Sequence, residues 1–233
     1  YKAGLKQSLD HPSLLSKIVI LDERLLLNLP KPIAATTGLD ALSQAIESFW
    51  SVNATEESKS YAKEAILLLK ENLIERVQKP NLKNVSRVMR AANLAGKAIN
   101  ISRTTASHAI SYPLTSRFNI PHGHAVALSL PEVLLINSLP NEKGYNDPRG
   151  SDYILSTMNE LYSLLGKSNA KEAYDYLRGL LVSLDLSTNL TSFNFEEKDI
   201  SIILDECFTP SRIKNNPVKI NRKLIEEILR GIL

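Results

Sequence analysis

Asp40 and Gln44 stand four residues apart, so on a helix they project from one face. His108 and His122 follow in two later segments, with His124 two residues on. A divalent cation takes several nitrogen or oxygen donors that converge from different elements, and two imidazoles with a carboxylate supply them. Each residue also has a plainer reading. Asp40 suits the first turn of a helix, where the dipole favours negative charge. His108 could be an interior histidine with its hydrogen bonds satisfied, and Pro121-His122-Gly123-His124 a polar loop. Arg103, Thr104 and Thr105 lie just before His108. A guanidinium with hydroxyls beside it can bind an anion, while the plain reading of Arg103 is a surface residue at a helix end. Arg117 and Arg212 are further cationic candidates. Tyr112 could donate a hydrogen bond or relay a proton, or simply pack.

The elements that must hold these groups are nearly all helical. Leu39, Leu42, Ile46, Phe49 and Trp50 recur at helical spacing and predict a helix over 37–50, with Thr37 and Asp40 arranged like a capping box. Further helices are predicted over 56–78, 84–101 and 105–112, the last breaking near Pro113. Small residues in the third (Ala91, Ala92, Ala95, Gly96) would let another helix approach closely. A fifth opens at His122 and runs to Asn137, interrupted by Pro131. Residues 140–150 are dense in turn formers and read as a loop. Helices over 151–166, 170–184, 196–207 and 219–232 complete an all-α bundle of eight or nine helices. Ahead of it, Lys17-Ile18-Val19-Ile20-Leu21 reads as a short strand, which needs a sheet to be stable.

Composition adds exclusions rather than an activity. The 233 residues carry a formal charge of +3 from 28 basic and 25 acidic side chains, a balance that argues against nucleic acid or a membrane surface as partner. No run of about 18 apolar residues is present to cross a membrane. The first residues lack the apolar core of a signal peptide. A single cysteine, Cys207, excludes an internal disulfide and suits a reducing compartment, so a cytoplasmic protein is expected.

Two stretches resemble the signatures of the iron-containing (group III) alcohol dehydrogenases. Thr36-Thr37-Gly38-Leu39-Asp40-Ala41-Leu42-Ser43-Gln44-Ala45-Ile46-Glu47 is similar to their G-x-D-A-L-x-H-A-I-E. The run from His108 through Tyr112-Pro113-Leu114 to His122-Gly123 is similar to their H-x-x-x-H-P-L followed by H-G. Ala125 to Pro131, with Asn137, fits a third family pattern. The resemblance implies the C-terminal helical domain of the dehydroquinate synthase-like fold, with residues 31–233 as the metal and substrate domain and residues 1–30 as the tail of a nucleotide-binding domain. It implies metal ligation by Asp40, Gln44, His108 and His122, with Fe2+ or Zn2+ as the cation. Two positions depart from the pattern: Gln44 and Tyr112 stand where the family has histidine. Glutamine is a neutral oxygen donor, less suited than imidazole to either metal, and some family members do not depend on a metal.

The implied reaction is NAD(P)H-dependent reduction of a small aldehyde to an alcohol, with Tyr112 in the catalytic centre. The runs Ser48–Thr55, Ser102–Ala106 and Asn146–Gly150 resemble the phosphonoacetaldehyde reductase branch, which makes 2-hydroxyethylphosphonate, and under that resemblance Arg103, Thr104 and Thr105 bind the substrate. No glycine-rich pyrophosphate loop occurs here, so the 233 residues alone are expected to bind NAD(P) poorly and to be inactive as a reductase. Family members commonly assemble, so a homodimer is expected. The alternatives are another iron-type alcohol dehydrogenase, a dehydroquinate synthase-like enzyme, or a helical interaction module without catalysis.

Overall fold

The computed structural model describes residues 11–207 and 210–233. Eleven α-helices, nine of them seven residues or longer, occur among the described residues, and no sheet does. The long ones are α1 (Lys31–Trp50), α2 (Glu56–Gln78), α3 (Leu82–Ser102), α4 (Ala106–Phe118) and α5 (His122–Asn137). The short α6 (Pro140–Lys143) lies within the stretch that reads as a loop. Then come α7 (Ser151–Leu165), α8 (Ala170–Ser183), α9 (Ile200–Glu206), α10 (Pro210–Asn215) and α11 (Arg222–Gly231). The sequence reading contains no counterpart of α10.

Local chemistry sets the boundaries. Thr55 caps α2 by accepting from the Ser58 amide at 3.2 Å, and Asn81 caps α3 in the same way through Asn84. Pro32 fits the first turn of α1, whose amides have no intrahelical partner, so this helix begins six residues before Thr37. Pro113 and Pro131 both lie inside continuous helices, against expectation. Each removes one backbone hydrogen bond, at a cost of about 3 kcal/mol. Burial outweighs that cost: Ile110 and Leu114 flank Pro113 in the core, and Leu130 and Val133 flank Pro131.

Helices α1 and α5 are buried on nearly every face, which makes them the central pair. The predicted strand at 17–21 is not formed. Ile18 and Ile20 are 81% and 87% exposed, and no described strand lies beside them to pair with. The small residues of α3 divide: Ala91 and Ala95 are buried, whereas Ala92 is exposed and Gly96 faces open space. The Asn146–Gly150 run is a structural knot. Arg149 donates to the carbonyls of Ser51, Val52 and Ala54 and to the buried carboxylate of Asp147, tying this loop to the end of α1.

Candidate metal centre

Three elements bring the candidate ligands together. Asp40 sits mid-way along α1, His108 in the first turn of α4, and His122 at the first position of α5. Asp40 Oδ1 lies 3.4 Å from His108 Nε2 and 3.8 Å from His122 Nε2. One ligand atom from each residue falls within 4.8 Å of the others. The two imidazoles meet edge to face, with ring centroids 5.4 Å apart.

Gly123 permits this convergence. A Cβ there would stand 1.9 Å from the carbonyl oxygen of Thr36 and 2.8 Å from Asp40 Cβ. Without a side chain, the first turn of α5 rests directly on α1, and His122 reaches Asp40.

His108 is held from behind by Glu47, which is fully buried two helical turns along α1 from Asp40. Its carboxylate bonds to His108 Nδ1 and accepts from the Thr105 hydroxyl (2.7 Å), the Ser107 amide (2.9 Å) and the His108 amide (3.4 Å). A carboxylate only accepts, so Nδ1 carries a hydrogen toward Glu47 and Nε2 is the ring atom that faces Asp40, where a bound cation would take the place of its proton. Nε2 is buried and has no hydrogen-bond partner. Burial alone would lower the pKa of His108, but the negative charges of Glu47 and Asp40 and the Glu47 hydrogen bond outweigh it and raise the value to about 9. Two carboxylates around one buried imidazole thus make a seat for positive charge. The donor set (one carboxylate oxygen, two imidazole nitrogens and a carboxylate behind one imidazole) fits a divalent cation and leaves room in its shell for a substrate oxygen.

Gln44 lies beside this cluster and holds it: its amide nitrogen donates to Asp40 Oδ2 at 2.9 Å. The NH2 donates to Asp40, while Oε1 of the same amide keeps its lone pairs as a neutral donor beside the cluster. His124 points elsewhere. Its Nε2 meets the Ser187 carbonyl at 2.7 Å and its ring packs edge-on against Phe193. Tyr112 stacks on His122, with centroids 5.9 Å apart.

The anion candidates also divide. Thr105 is fully buried; its hydroxyl donates to Glu47 and accepts from the Trp50 indole at 2.9 Å, so its bonds are made inside the protein. Ser48, Ser51 and Ser102 form a second buried set of hydrogen bonds, which ties the end of α1 to the turn between α3 and α4. Thr104 accepts from Arg212 of α10. Arg103 is exposed at that turn, with a φ of 65° that L-residues rarely adopt. Arg117 is engaged by Glu206 at the surface. The reading from residue types alone gave no role to Glu47 or Arg212's stacking. The signal for Glu47 was its place at the end of the α1 signature, two helical turns from Asp40.

Comparison with known proteins gives the family of the chain. Residues 34–233 match the family model described as Fe-containing alcohol dehydrogenase family, C-terminal. The phosphonoacetaldehyde reductase of Streptomyces viridochromogenes is 31% identical over 226 residues, covering 96% of this chain and 56% of the relative. The sulfoacetaldehyde reductase of Bilophila wadsworthia is 29% identical over 240 residues, covering 99% and 59%. The crystal structure of sulfoacetaldehyde reductase from Bifidobacterium kashiwanohense in complex with NAD+ superposes with a TM-score of 0.79 at 31% identity, over 91% of this chain and 53% of that one. The chain spans a little over half the length of these relatives. It belongs to the Fe-containing alcohol dehydrogenase family, and what it spans is that family's C-terminal helical part.

Proposed function

We propose that the full-length protein is a metal-dependent, NAD(P)H-dependent reductase of small aldehydes, and that its substrate is phosphonoacetaldehyde, reduced to 2-hydroxyethylphosphonate. The observation that carries the reading is the convergence of Asp40, His108 and His122, with Glu47 buried behind His108. Relatives named as reductases of phosphonoacetaldehyde and sulfoacetaldehyde support an aldehyde with an anionic head group. Residues 31–233 are the helical metal and substrate domain. Residues 1–30 belong with a nucleotide-binding domain; the exposed apolar side chains of Leu14, Leu15, Ile18, Val19 and Ile20 favour a covering layer over this end of the chain.

Asp40, His108 and His122 hold the cation, and Gln44 keeps the Asp40 carboxylate turned toward it. When bound, a divalent cation supplies Lewis-acid polarisation of the aldehyde oxygen, and a reduced nicotinamide supplies the hydride. Glu47 fixes the His108 tautomer and ring orientation, with Thr105 and Trp50 fixing Glu47 in turn. Tyr112 borders the site beside His122, where its hydroxyl is proposed to hydrogen-bond the carbonyl oxygen. Ser111 Oγ stands 3.3 Å from His122 Nδ1 and steadies that ring.

The test is NAD(P)H oxidation by the full-length enzyme with phosphonoacetaldehyde, lactaldehyde and butyraldehyde, alongside metal analysis. Phosphonoacetaldehyde should give the highest kcat/KM, and His108→Ala should lose both metal and turnover. Retention of stoichiometric metal and full activity by His108→Ala would overturn the site, and preference for a neutral aldehyde would overturn the substrate.

A further inference from the structure

We infer that Arg212, carried by the short helix α10, is the specificity-determining residue that seats the anionic head group of the aldehyde. This inference rests on the proposed reductase function. It replaces Arg103 with Arg212 as the principal cation for the substrate.

The argument starts from the size of the substrate. In phosphonoacetaldehyde the phosphorus is two bonds from the carbonyl carbon. A residue that reads the head group must therefore border the groups that hold the carbonyl end. Among the three arginines with candidate roles, Arg212 meets that condition. The Arg212 guanidinium lies 4.8 Å from the centroid of the Tyr112 ring, and Tyr112 is the residue stacked on the ligand His122. Arg117 is taken by Glu206, and Arg103 is exposed at the α3–α4 turn.

Arg212 is also held in position. It donates to Thr104 Oγ1, and Thr104 itself is buried. Three residues on, Asn215 donates to the Thr104 carbonyl at 3.2 Å, accepts from Asn53 at 2.9 Å, and offers its own carbonyl to the Val52 amide at 3.0 Å. The far end of α10 is thereby pinned to the α3–α4 turn and the end of α1, the same joint that supports Glu47 and His108. A planar guanidinium fixed by a hydroxyl and an aromatic face keeps its fork geometry, which matches two oxygens of a phosphonate or sulfonate. A point charge on a flexible stem would not do this as well. Its positive charge also offsets the Asp40 and Glu47 carboxylates, which would otherwise repel a dianion entering the site.

The experiment uses the full-length enzyme with its metal and measures kcat/KM for phosphonoacetaldehyde and for propanal, in wild type, Arg212→Ala and Arg212→Lys. The readout is the selectivity ratio between the two aldehydes, which cancels any general damage to the fold or the metal site. Loss of charge-assisted hydrogen bonds to the head group predicts a fall in that ratio of about 100-fold in Arg212→Ala, carried mainly by KM for phosphonoacetaldehyde. Arg212→Lys restores part of it. Methylphosphonate, an anion without a carbonyl, should inhibit wild type competitively and lose its effect on Arg212→Ala. A ratio unchanged within twofold in both variants, with wild type active on both aldehydes, overturns the role of Arg212 and leaves the reductase function standing. A wild-type enzyme that reduces neither aldehyde overturns the reductase reading and this inference with it.

Discussion

Glu47 shows how much of a metal centre lies one shell behind its ligands. It is fully buried and bonds through both oxygens, to the His108 ring on one side and to Thr105 and the α4 amides on the other. Burial alone would raise its pKa, but the charge of His108 and its hydrogen bonds bring the net shift below the usual carboxylate value. Glu47→Gln keeps the volume and removes the charge. It should weaken zinc binding by about 10–100-fold in a chelator competition. A change of less than twofold would show that Glu47 only packs. Arg149 illustrates the opposite role. Its guanidinium serves three carbonyls and the buried Asp147, so Arg149→Ala leaves an uncompensated carboxylate in the interior. A loss of about 2–3 kcal/mol in urea unfolding is expected, with unchanged metal content. The run around Arg149 resembles one branch of the family, yet its contacts are those of joinery, and nothing in residue type alone distinguishes the two.

At the scale of elements, close approach of α5 to α1 makes the site possible. Gly123→Ala forces a methyl group against the Thr36 carbonyl, so backbone must move. The expected cost is about 1–3 kcal/mol, with a further loss of metal affinity because His122 moves with its helix. Gly96 in α3 is the control. Nothing lies within 4 Å of a Cβ there, and its backbone is helical. Gly96→Ala should raise stability by about 0.5–1 kcal/mol through helix propensity alone. Thermal unfolding of the pair checks both signs, and a Gly123→Ala variant as stable as wild type with intact metal would contradict the packing argument. The sequence offers Gly96 as a place of close helix approach and Gly123 as part of a motif or a polar loop. Only the neighbour across the interface separates them.

For the whole molecule, one buried group reports on integrity and on pH. Cys207 is fully buried, and burial pushes its thiol from the ordinary 9.0 up to about 12. Native protein should therefore react negligibly with a thiol reagent at pH 8 and fully once unfolded. Between pH 9 and 12 the unfolded chain loses this proton and the folded chain keeps it. Folding stability is fully present below pH 9 and falls as pH rises through that window. Denaturant titrations across it should show the decline, and Cys207→Ser should lessen it. No helix among the described residues is long and apolar enough to cross a membrane, in keeping with the hydropathy of the sequence. The sequence by itself determined the helical class and most helix positions, because these follow from local periodicity, and its short motifs singled out Asp40, His108 and His122, which the fold brings together. It misread Pro113 and Pro131 as breaks and residues 17–21 as a strand, because burial overrides propensity and a strand exists only with a neighbour. It put Arg103 ahead of Arg117 and Arg212 on position in the chain alone, and it could not tell that Gln44 bonds Asp40 or that Thr105 bonds Glu47. Those outcomes depend on contacts such as the 58 positions between Glu47 and Thr105, which only the packed chain brings within a hydrogen bond.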